Sequence, residues 1–218
     1  TANANTMTAT GSPGTYNTTG QFGGAFDFQE VNNAGFSATD QAAIRNIRTL
    51  SCGAWIDPDT DGDAGVLFID AGWIVGKYDG SDGWALGLDN DAAPLEMEFA
   101  YQWTGGVGKW DTTSDPVTTG GGTFQHVSVT YNANSSSNDP IFYYNGVSQT
   151  LTETNTPASV ADDDTGGEPT IGIHGDGTGI GSVGEFDGDI DEVFVYSTTI
   201  LTSTQINDIK DNGLTAVA

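Results

Sequence analysis

The sequence predicts an all-β protein, an antiparallel sandwich with one short C-terminal helix. Short apolar runs recur with roughly 10–20 residues between their centres, and almost no helical periodicity lies between them. The 218 residues include 31 glycines but only 7 prolines, a composition typical of many strands joined by turns rather than of disorder. This length fits one sandwich domain.

The candidate strands begin after Gly20. Residues 1–19 are polar and punctuated by glycine, which predicts an N-terminal arm or poorly ordered lead-in ahead of a domain over residues 20–218. The strands expected in order are FGGAFDFQEV, RTLSCGAWID, GVLFIDAGWIVGKY, GWALGLD, PLEMEFAYQW, FQHVSVTYNA, IFYYNGVSQ, PTIGIHG and FDGDIDEVFVY.

Two segments carry helical signals. SATDQAAIRNI, ahead of the second strand, is the weaker one. In LTSTQINDIKDNG, Thr202 and Gln205 form a capping-box pattern, Ile206 and Ile209 share one face, and Gly213 suits the left-handed position after a helix.

Charge limits the classes of partner. The chain has 30 acidic residues against 5 Lys and Arg, a formal net charge of −25, and binding to nucleic acid depends on basic residues. Nucleic acid is therefore excluded as a partner, and the evenly spread acids favour solubility at high salt, as in a marine or saline source. No apolar run approaches the ~20 residues of a membrane span, so no membrane insertion is expected. Cys52 is the single cysteine, and we expect a buried thiol.

Several of these segments resemble a known family. GAFDFQ is similar to the opening strand of laminin-G-like, concanavalin-A-like domains, and LSCGAWIDP to their strand with a tryptophan, here Trp55. TFQHVSVTYNANSSSNDPIFYYNGV resembles a characteristic hairpin of the family, with Phe124 in place of a tryptophan. GEFDGDIDEVFVYSTTILTSTQINDIKDNG resembles the closing segment, which is the most specific part. The resemblance covers about residues 20–213.

The resemblance implies a jelly-roll sandwich of two curved antiparallel sheets. Members mostly recognise carbohydrates or other surfaces, and others are inert parts of larger assemblies. The family often carries a structural Ca²⁺ near the sheet rim, to which Asp27, Asp187 and Asp191 would contribute here. In the closing strand, the change of phase around Asp191 and Glu192 predicts a β-bulge.

A second calcium candidate is the stretch DPDTDGDAGVLF. Asp57, Asp59 and Asp61 occupy the first acidic positions of an EF-hand loop, with Gly62 in sixth place, but Phe68 stands where a bidentate Glu belongs. Flanking strand patterns also replace the EF-hand helices. A different kind of calcium site and a solvated hairpin turn both stay open. The acidic run at 162–164 is expected to be a solvated loop.

Glycoside hydrolysis is the enzymatic alternative. Glucanases of this fold place two glutamates around an aspartate on one strand, because retaining hydrolysis needs two carboxyl groups about 5 Å apart. Glu185, Asp187 and Asp189 alternate in GEFDGD, but Asp189 replaces the second glutamate. We therefore expect no catalytic residues and no enzyme activity.

Ligand recognition by aromatic side chains is the third candidate chemistry. Trp84, Trp103, Trp110 and Tyr101 lie within a tryptophan- and tyrosine-rich stretch, where sugar rings would stack on exposed rings. Trp103 and Trp110 flank TGGVGK, a glycine-rich loop by its sequence, and are expected to be exposed.

The sequence thus predicts a noncatalytic, outward-facing surface module. It either binds glycans or serves as an attachment or decoration protein of a virion or cell surface. Its partners would be glycans or neighbouring subunits, including copies of itself in a homo-oligomer. The opening TANANTMTATG has no signal-peptide features, which fits either a processed secreted protein or a virion component. The alternative is a glycoside hydrolase or lyase of the same fold.

Overall fold

The structure, a computed structural model, describes residues 7–11, 16–29, 34–63, 69–89, 94–175 and 183–214. The strands within them are, in chain order, β1 (Thr8–Thr10), β2 (Tyr16–Gly20), β3 (Gly23–Phe28), β4 (Gly35–Ser37), β5 (Thr49–Pro58), β6 (Trp73–Tyr78), β7 (Gly83–Leu88), β8 (Met97–Trp103), β9 (Gly106–Thr112), β10 (Gln125–Asn132), β11 (Ile141–Tyr144), β12 (Val147–Ser148), β13 (Leu151–Asn155), β14 (Glu168–Ile171) and β15 (Gly188–Tyr196). One α-helix, α1, spans Ser203–Asn212, and a 3-10 turn spans Ala42–Ile44.

These strands form two sheets. Sheet I has the order β1-β4-β14-β6-β7-β8-β9-β13, and sheet II has the order β12-β11-β10-β5-β15-β3-β2. Every strand pair in both sheets is antiparallel. The predicted fold class, an all-β antiparallel jelly-roll sandwich with a short C-terminal helix, is confirmed.

The core lies between the inner faces of the two sheets. Side chains alternate between faces along a strand, so Leu86 and Phe99 of sheet I meet Ile56, Val129 and their neighbours from sheet II. These side chains are 0% exposed. Burying side chains of this size contributes about 1.5–3 kcal/mol each, which makes this layer the main stabilising feature of the fold.

A second, smaller core covers the outer face of sheet II. The helix α1 begins with the predicted capping box, in which Thr202 and Gln205 accept each other's backbone N–H, and it ends at Gly213 with φ 73°. Its Ile206 and Ile209 are buried against Phe194 and neighbouring side chains. The helix is therefore confirmed together with both of its caps. In contrast, the weaker helical prediction is wrong beyond the short turn Ala42–Ile44, because that segment is pinned by polar contacts instead. In the described part of the chain, no helix is both long and apolar enough to cross a bilayer.

Two strands lie within the segment that we interpreted as an arm. β1 pairs with β4 in sheet I, and β2 pairs with β3 in sheet II. The boundary at residue 20 thus falls at the end of β2. The division into arm and domain stays a prediction, but part of the segment contributes an edge strand to each sheet.

The glycine-rich stretch TGGVGK is not a loop. β8 and β9 form a tight hairpin in which Trp103 is opposite Gly106, so only Thr104 and Gly105 make the turn. Glycine at position 106 has φ 133°, a conformation that other residues rarely adopt. Gly106 and Gly108 belong to the strand β9, which the sequence pattern missed because glycine lacks a side chain to alternate.

The hairpin-turn interpretation of the acidic stretch that begins at Asp57 stays a prediction, because the strand that would follow the turn lies at 65–68, outside the described residues. β5 belongs to sheet II and the next described strand, β6, belongs to sheet I, and we call the residues between them the crossing segment. Its described part stays close to the closing strand: the N–H of Asp59 donates to the carbonyl of Asp187 at 2.9 Å, and the N–H of Asp63 donates to that of Glu185 at 2.9 Å. Gly65 and Phe68 lie outside the described residues.

The acidic run at 162–164 is only partly solvated. Asp164 is 5% exposed and Lys77 is 0% exposed, and the Lys77 ammonium lies 3.1 Å from the Asp164 carboxylate and 3.3 Å from Asp40. The Lys77 ammonium also donates to the Asp164 carbonyl. Asp164 accepts a further bond from the N–H of Asn46 at 2.6 Å. A buried lysine therefore ties two surface loops to β6.

Replacing Asp164 with Ala is expected to destabilise the fold by about 3 kcal/mol, because it leaves a buried ammonium with one carboxylate partner instead of two. Urea unfolding measures the difference. Asp115 is an exposed aspartate, and Asp115→Ala serves as the control, expected within about 0.5 kcal/mol of the parent. Equal unfolding midpoints for the two variants would show that Lys77 does not depend on Asp164.

Buried His126 should make stability pH-dependent. Its ring lies 5.3 Å from the Trp55 ring and 6.1 Å from the Phe194 ring, and burial, reinforced by the charge of Lys210 and opposed by Asp211, lowers the pKa of His126 from 6.5 to about 4. The unfolded chain therefore takes up a proton at a higher pH than the folded chain. The contribution is present above pH 6.5 and is lost as the pH falls towards 4.

We expect the free energy of unfolding of the parent, minus that of His126→Phe, to be constant above pH 7 and to fall by about 3 kcal/mol between pH 6.5 and 4. Taking the difference removes the contributions of the many carboxylates, which both chains share. Chemical unfolding at several pH values measures it. Parallel pH profiles would contradict a neutral, buried His126.

Candidate functional site

The four predicted aromatic ligand residues lie in the core. Trp84 is 1% exposed, Trp103 2%, Trp110 0% and Tyr101 4%. The prediction that Trp103 and Trp110 are exposed is wrong, because the tight β8–β9 hairpin turns both side chains towards sheet II. A ring that is buried in the core offers no face for a sugar to stack on.

Each of these rings has a structural role instead. Trp110 stacks on Phe99 with ring centres 6.2 Å apart and packs at 5.1 Å from Tyr131, while its indole N–H donates to Asp139 at 3.1 Å. The Tyr101 hydroxyl donates to the Ile47 carbonyl and accepts a bond from Arg48. Burial is the main reason that the pKa of Tyr101 rises to about 12.

Four of the six predicted metal ligands lie together with Asp189, which was not predicted, at one rim of sheet II. We call these five residues the acidic rim: Asp27, Asp57, Asp59, Asp187 and Asp189. The strand pairing creates it, since Asp189 of β15 is opposite Asp27 of β3 on one side and Asp57 of β5 on the other. Asp59 and Asp187 are joined by the backbone bond between the two segments. Three strands thus bring together carboxylates that are up to 162 positions apart in the sequence.

Mutual repulsion marks the acidic rim. Burial, followed by the charges of Asp59 and Asp187, raises the pKa of Asp27, and burial followed by Asp187 and Asp57 raises that of Asp59. Burial also raises the pKa of Asp189, against a hydrogen bond from Asn17. The Oδ1 atom of Asp189 is buried and has no hydrogen-bond partner among the described residues.

Three predicted metal ligands already have other partners. The Asp187 carboxylate accepts the Thr60 hydroxyl at 2.8 Å. The Asp57 carboxylate accepts the N–H groups of Gly122 and Thr123 at 2.7 and 3.1 Å. The Asp191 carboxylate accepts the N–H of Phe22 at 2.9 Å and that of Glu192 at 2.8 Å. Asp61 is half-buried in the crossing segment. Among the described residues, no three acidic, histidine or cysteine side chains are close enough together to hold a metal ion without rearrangement.

The catalytic alternative loses one of its carboxylates. Glu185 is 1% exposed and lies in the segment before β15, where its carbonyl accepts the N–H of Asp63. Asp187 and Asp189 belong to the acidic rim. Buried Glu185 therefore does not form an accessible pair of carboxyl groups with either aspartate.

A polar cluster that sequence reasoning missed lies on the outer face of sheet I. The neighbours across β7, β8 and β9 on this face are Gly87, Glu98 and Asp111 in one row and Ala85, Ala100 and Lys109 in the next. The small residues near the middle of the face, Ala85 and Ala100, are covered by the buried side chains of Ile69 and Trp73. We call Asp70, Glu98, Gln102 and Lys109 the Lys109 cluster.

Ion pairs hold the Lys109 cluster together. The Lys109 ammonium lies 2.7 Å from the Asp70 carboxylate and also contacts Glu98, and the N–H of Asp70 donates to Glu98 at 2.7 Å. Glu98 is 0% exposed, whereas the side chain of Asp70 is 49% exposed. Buried Glu98 therefore holds the Lys109 ammonium in place, while the second partner of Lys109, Asp70, reaches solvent.

Aromatic residues border the cluster on the same face. Trp73 lies directly over Gly76, where a Cβ atom would come within 2.3 Å of the indole. His174 packs at 5.1 Å from Trp73 and at 5.2 Å from Tyr78. Trp73 is 1% exposed, so it supports the face rather than offering an exposed ring.

One sequence signal could have revealed the cluster. Lys109 is one of five basic residues in the chain, and a lysine within a strand of so acidic a protein needs a carboxylate partner. The partners Asp70 and Glu98 could not be identified without the β8–β9 register.

Comparisons with known structures find the same fold in several binding domains. The chain aligns with the binding domain of paraclostridial mosquitocidal protein 1 at a TM-score of 0.64 and 11% identity, covering 94% of this chain and 47% of that one. It aligns with the binding domain of botulinum neurotoxin DC in complex with SialylT at 0.60 and 12%, covering 95% and 47%. A heptameric SAP-like pentraxin from Limulus polyphemus aligns at 0.52 and 15%, covering 77% and 72%.

The chain therefore spans about half the length of these toxin binding domains. A comparison with curated protein sequences finds no match. The family model of the concanavalin A-like lectin/glucanases superfamily matches residues 30–207, which is most of the sandwich from β4 to α1. This chain belongs to the concanavalin A-like lectin/glucanase superfamily.

Proposed function

We propose that this chain is a noncatalytic carbohydrate-binding module whose ligand contacts the Lys109 cluster. The observation that carries the proposal is the Lys109 ammonium held between Glu98 and the half-exposed Asp70, on a sheet face whose neighbouring apolar part is closed by Ile69 and Trp73. Sugar hydroxyls both donate and accept hydrogen bonds. The ammonium and the Asp70 carboxylate offer both kinds of partner, and the Gln102 amide, which lies in the adjoining row of the same face opposite Val107, extends this surface.

The comparisons support a glycan as the ligand class. The superfamily to which the chain belongs is that of the concanavalin A-like lectins and glucanases. One structural neighbour, the binding domain of botulinum neurotoxin DC, was determined in complex with SialylT. Another neighbour is from botulinum neurotoxin type C, whose cell entry depends on interaction with two ganglioside molecules. We propose a neutral glycan here, because Glu98 and Asp70 neutralise Lys109 and the chain carries a net charge of −25. An acidic sugar would be repelled.

The same cluster favours binding over hydrolysis. Glu98 and Asp111 are opposite each other on β8 and β9, as the two carboxyl groups of a retaining glycosidase could be. However, Glu98 is 0% exposed. Its two carboxylate oxygens already contact the Lys109 ammonium and the N–H of Asp70, so they are not placed to exchange a proton with a substrate.

We further propose that the module faces outward, at a virion or cell surface or as a secreted protein, where it attaches to glycans or to neighbouring subunits, including copies of itself. The spread of 30 acidic residues supports solubility in a saline extracellular medium.

Binding should be selective for neutral oligosaccharides and should depend on the Lys109 cluster. A glycan array identifies a ligand, and titration calorimetry then compares variants. Asp70→Asn and Gln102→Ala are each expected to weaken binding about tenfold or more by removing a hydrogen bond to the sugar.

Asp115→Asn, which removes one exposed carboxylate elsewhere, is the matched control and should bind as the parent does. Asp70 is half exposed, so its replacement should leave the fold intact, which the melting temperature verifies. Binding of acidic glycans only, or equal affinities of Asp70→Asn, Gln102→Ala and the parent, would contradict the proposed site.

A structural Ca²⁺ at the acidic rim is a second proposal. Asp27, Asp59, Asp187 and Asp189 would hold the ion, since Asp57 is bound to backbone N–H groups. A bound cation would give the buried Oδ1 atom of Asp189, which has no hydrogen-bond partner among the described residues, a partner, and it would offset the raised pKa values of Asp27 and Asp59. Ca²⁺ takes six to eight oxygen ligands in flexible geometry, so the carboxylates would move together around it.

Saturating Ca²⁺ is expected to raise the melting temperature by about 5–10 °C. Asp189→Asn should abolish this shift, and Asp115→Asn should retain it. Sodium chloride at equal ionic strength is the control for screening of the repulsion. An equal shift with sodium chloride, or none with Ca²⁺, would exclude the ion.

A further inference from the structure

Lys77 extends into the interior of the protein from the inner face of sheet I. Its neighbours across the strands are Trp84 of β7 and Pro169 of β14, and Trp84 belongs to the main core. The Lys77 side chain is 0% exposed. A lysine amine is a nucleophile once it has lost its extra proton, and here it is fixed in a place that solvent does not reach.

Asp164 is held against the Lys77 ammonium by two groups. Its Oδ1 atom lies 3.1 Å from the Lys77 Nζ atom, and its backbone carbonyl accepts a hydrogen bond from the same ammonium. The N–H of Asn46 donates to Oδ1 at 2.6 Å. Such a donor stabilises the negative charge that develops on a carboxyl oxygen when a nucleophile attacks the adjoining carbon. Asp164 is therefore positioned and polarised as an electrophile for Lys77.

Asp40 is placed to take a proton from the ammonium. Its Oδ1 atom lies 3.3 Å from the Lys77 Nζ atom and is buried, with no hydrogen-bond partner among the described residues. Its Oδ2 atom accepts the Arg45 guanidinium at 2.6 Å and the N–H of Gly166 at 2.9 Å. The Oδ2 contacts hold the side chain in position, and Oδ1 is left to accept a proton.

Little water reaches these two carboxylates. The side chains of Asp40 and Asp164 are 11% and 7% exposed. Charges are costly where water is scarce, so a proton transfer from an ammonium to a carboxylate, which cancels both charges, is easier here than in solution. The scarcity of water also protects an amide, once formed, from hydrolysis.

We propose that the Lys77 and Asp164 side chains join in an isopeptide bond after the chain has folded. The Lys77 amine attacks the carboxyl carbon of Asp164, a C–N bond forms and one C–O bond breaks. The ammonium gives up two protons, which Asp40 carries to the departing oxygen, and one water molecule leaves. No atom is oxidised or reduced, and the net charge is unchanged because one ammonium and one carboxylate disappear together.

The bond links positions that are 87 residues apart in the chain, and it ties β6 to the segment before β14. A cross-link across so long a stretch restricts the unfolded chain and thereby stabilises the fold. Cys52 is the single cysteine, so an intrachain disulfide cannot supply this effect. Unlike a disulfide, the amide withstands reducing agents. The loss of stability in Asp164→Ala then exceeds the loss that the ion pair alone predicts.

The mass of the intact, purified chain tests the proposal. It is expected to fall short of the mass of the sequence by one water molecule. After unfolding in urea, trypsin should leave Lys77 uncleaved, in a branched peptide that contains Asp164. A succinimide at one of the Asp-Gly pairs of the chain also loses one water molecule, but it leaves Lys77 cleavable. A parent chain with the full sequence mass, with cleavable Lys77 or with the branch at Asp40 would overturn the proposal.

Three variants test the assigned roles. Each chain is isolated unfolded in urea and then diluted into buffer, and mass spectrometry follows the loss of water. Lys77→Arg keeps the positive charge but lacks the amine, so it should retain the full sequence mass. Asp40→Asn removes the proton carrier and should slow the loss of water at least about tenfold. Asp115→Asn, which removes an exposed carboxylate elsewhere, is the matched control and should react as the parent does.

Loss of water in Lys77→Arg, or equal rates in Asp40→Asn and Asp115→Asn, would contradict the proposal. The mass and the tryptic peptides of the parent use the unmodified chain, so they decide the question even if a variant fails to fold.

Discussion

The pairing of β15 with β5 and β3 is the constraint on which the rest of the structure depends. Gly188 opens this strand, and a Cβ atom there would lie 2.3 Å from the Asp57 carbonyl, so only glycine allows the strand to enter between its neighbours. Once inside, β15 supplies Ile190 to the main core and Phe194 to the core beneath α1. The closing segment of the chain thus completes both hydrophobic layers.

The same strand pairing also decides where several carboxylates lie. Asp189 lies between Asp27 and Asp57 because three strands meet there in register. The bulge that follows places the Asp191 and Glu192 carboxylates where they accept the N–H groups of Phe22 and Leu214. A shift of the register by one residue would reverse every side chain, so the position of these carboxylates follows from the geometry of one strand.

The chain has only five Lys and Arg residues, and two of the lysines lie within strands. Lys77 fastens loops to β6 from inside the fold, and Lys109 is held on the outer face of sheet I by Glu98. In a chain with −25 net charge, a lysine in a strand costs little because carboxylates are always near. The contrast between Lys77, 0% exposed, and the Lys109 cluster, which reaches solvent through Asp70, separates a structural ion pair from a candidate binding site.

The sequence by itself determined the fold class, the capped helix α1 and the bulge in β15, because alternation, capping and phase are local properties of neighbouring residues. It did not reveal β9, whose glycines hide the alternation, and so it misplaced Trp103 and Trp110 at the surface. Only the tertiary structure decided which acids meet and which rings are exposed. These depend on register between strands far apart in the chain, and no local pattern encodes the distance between Lys109 and Asp70.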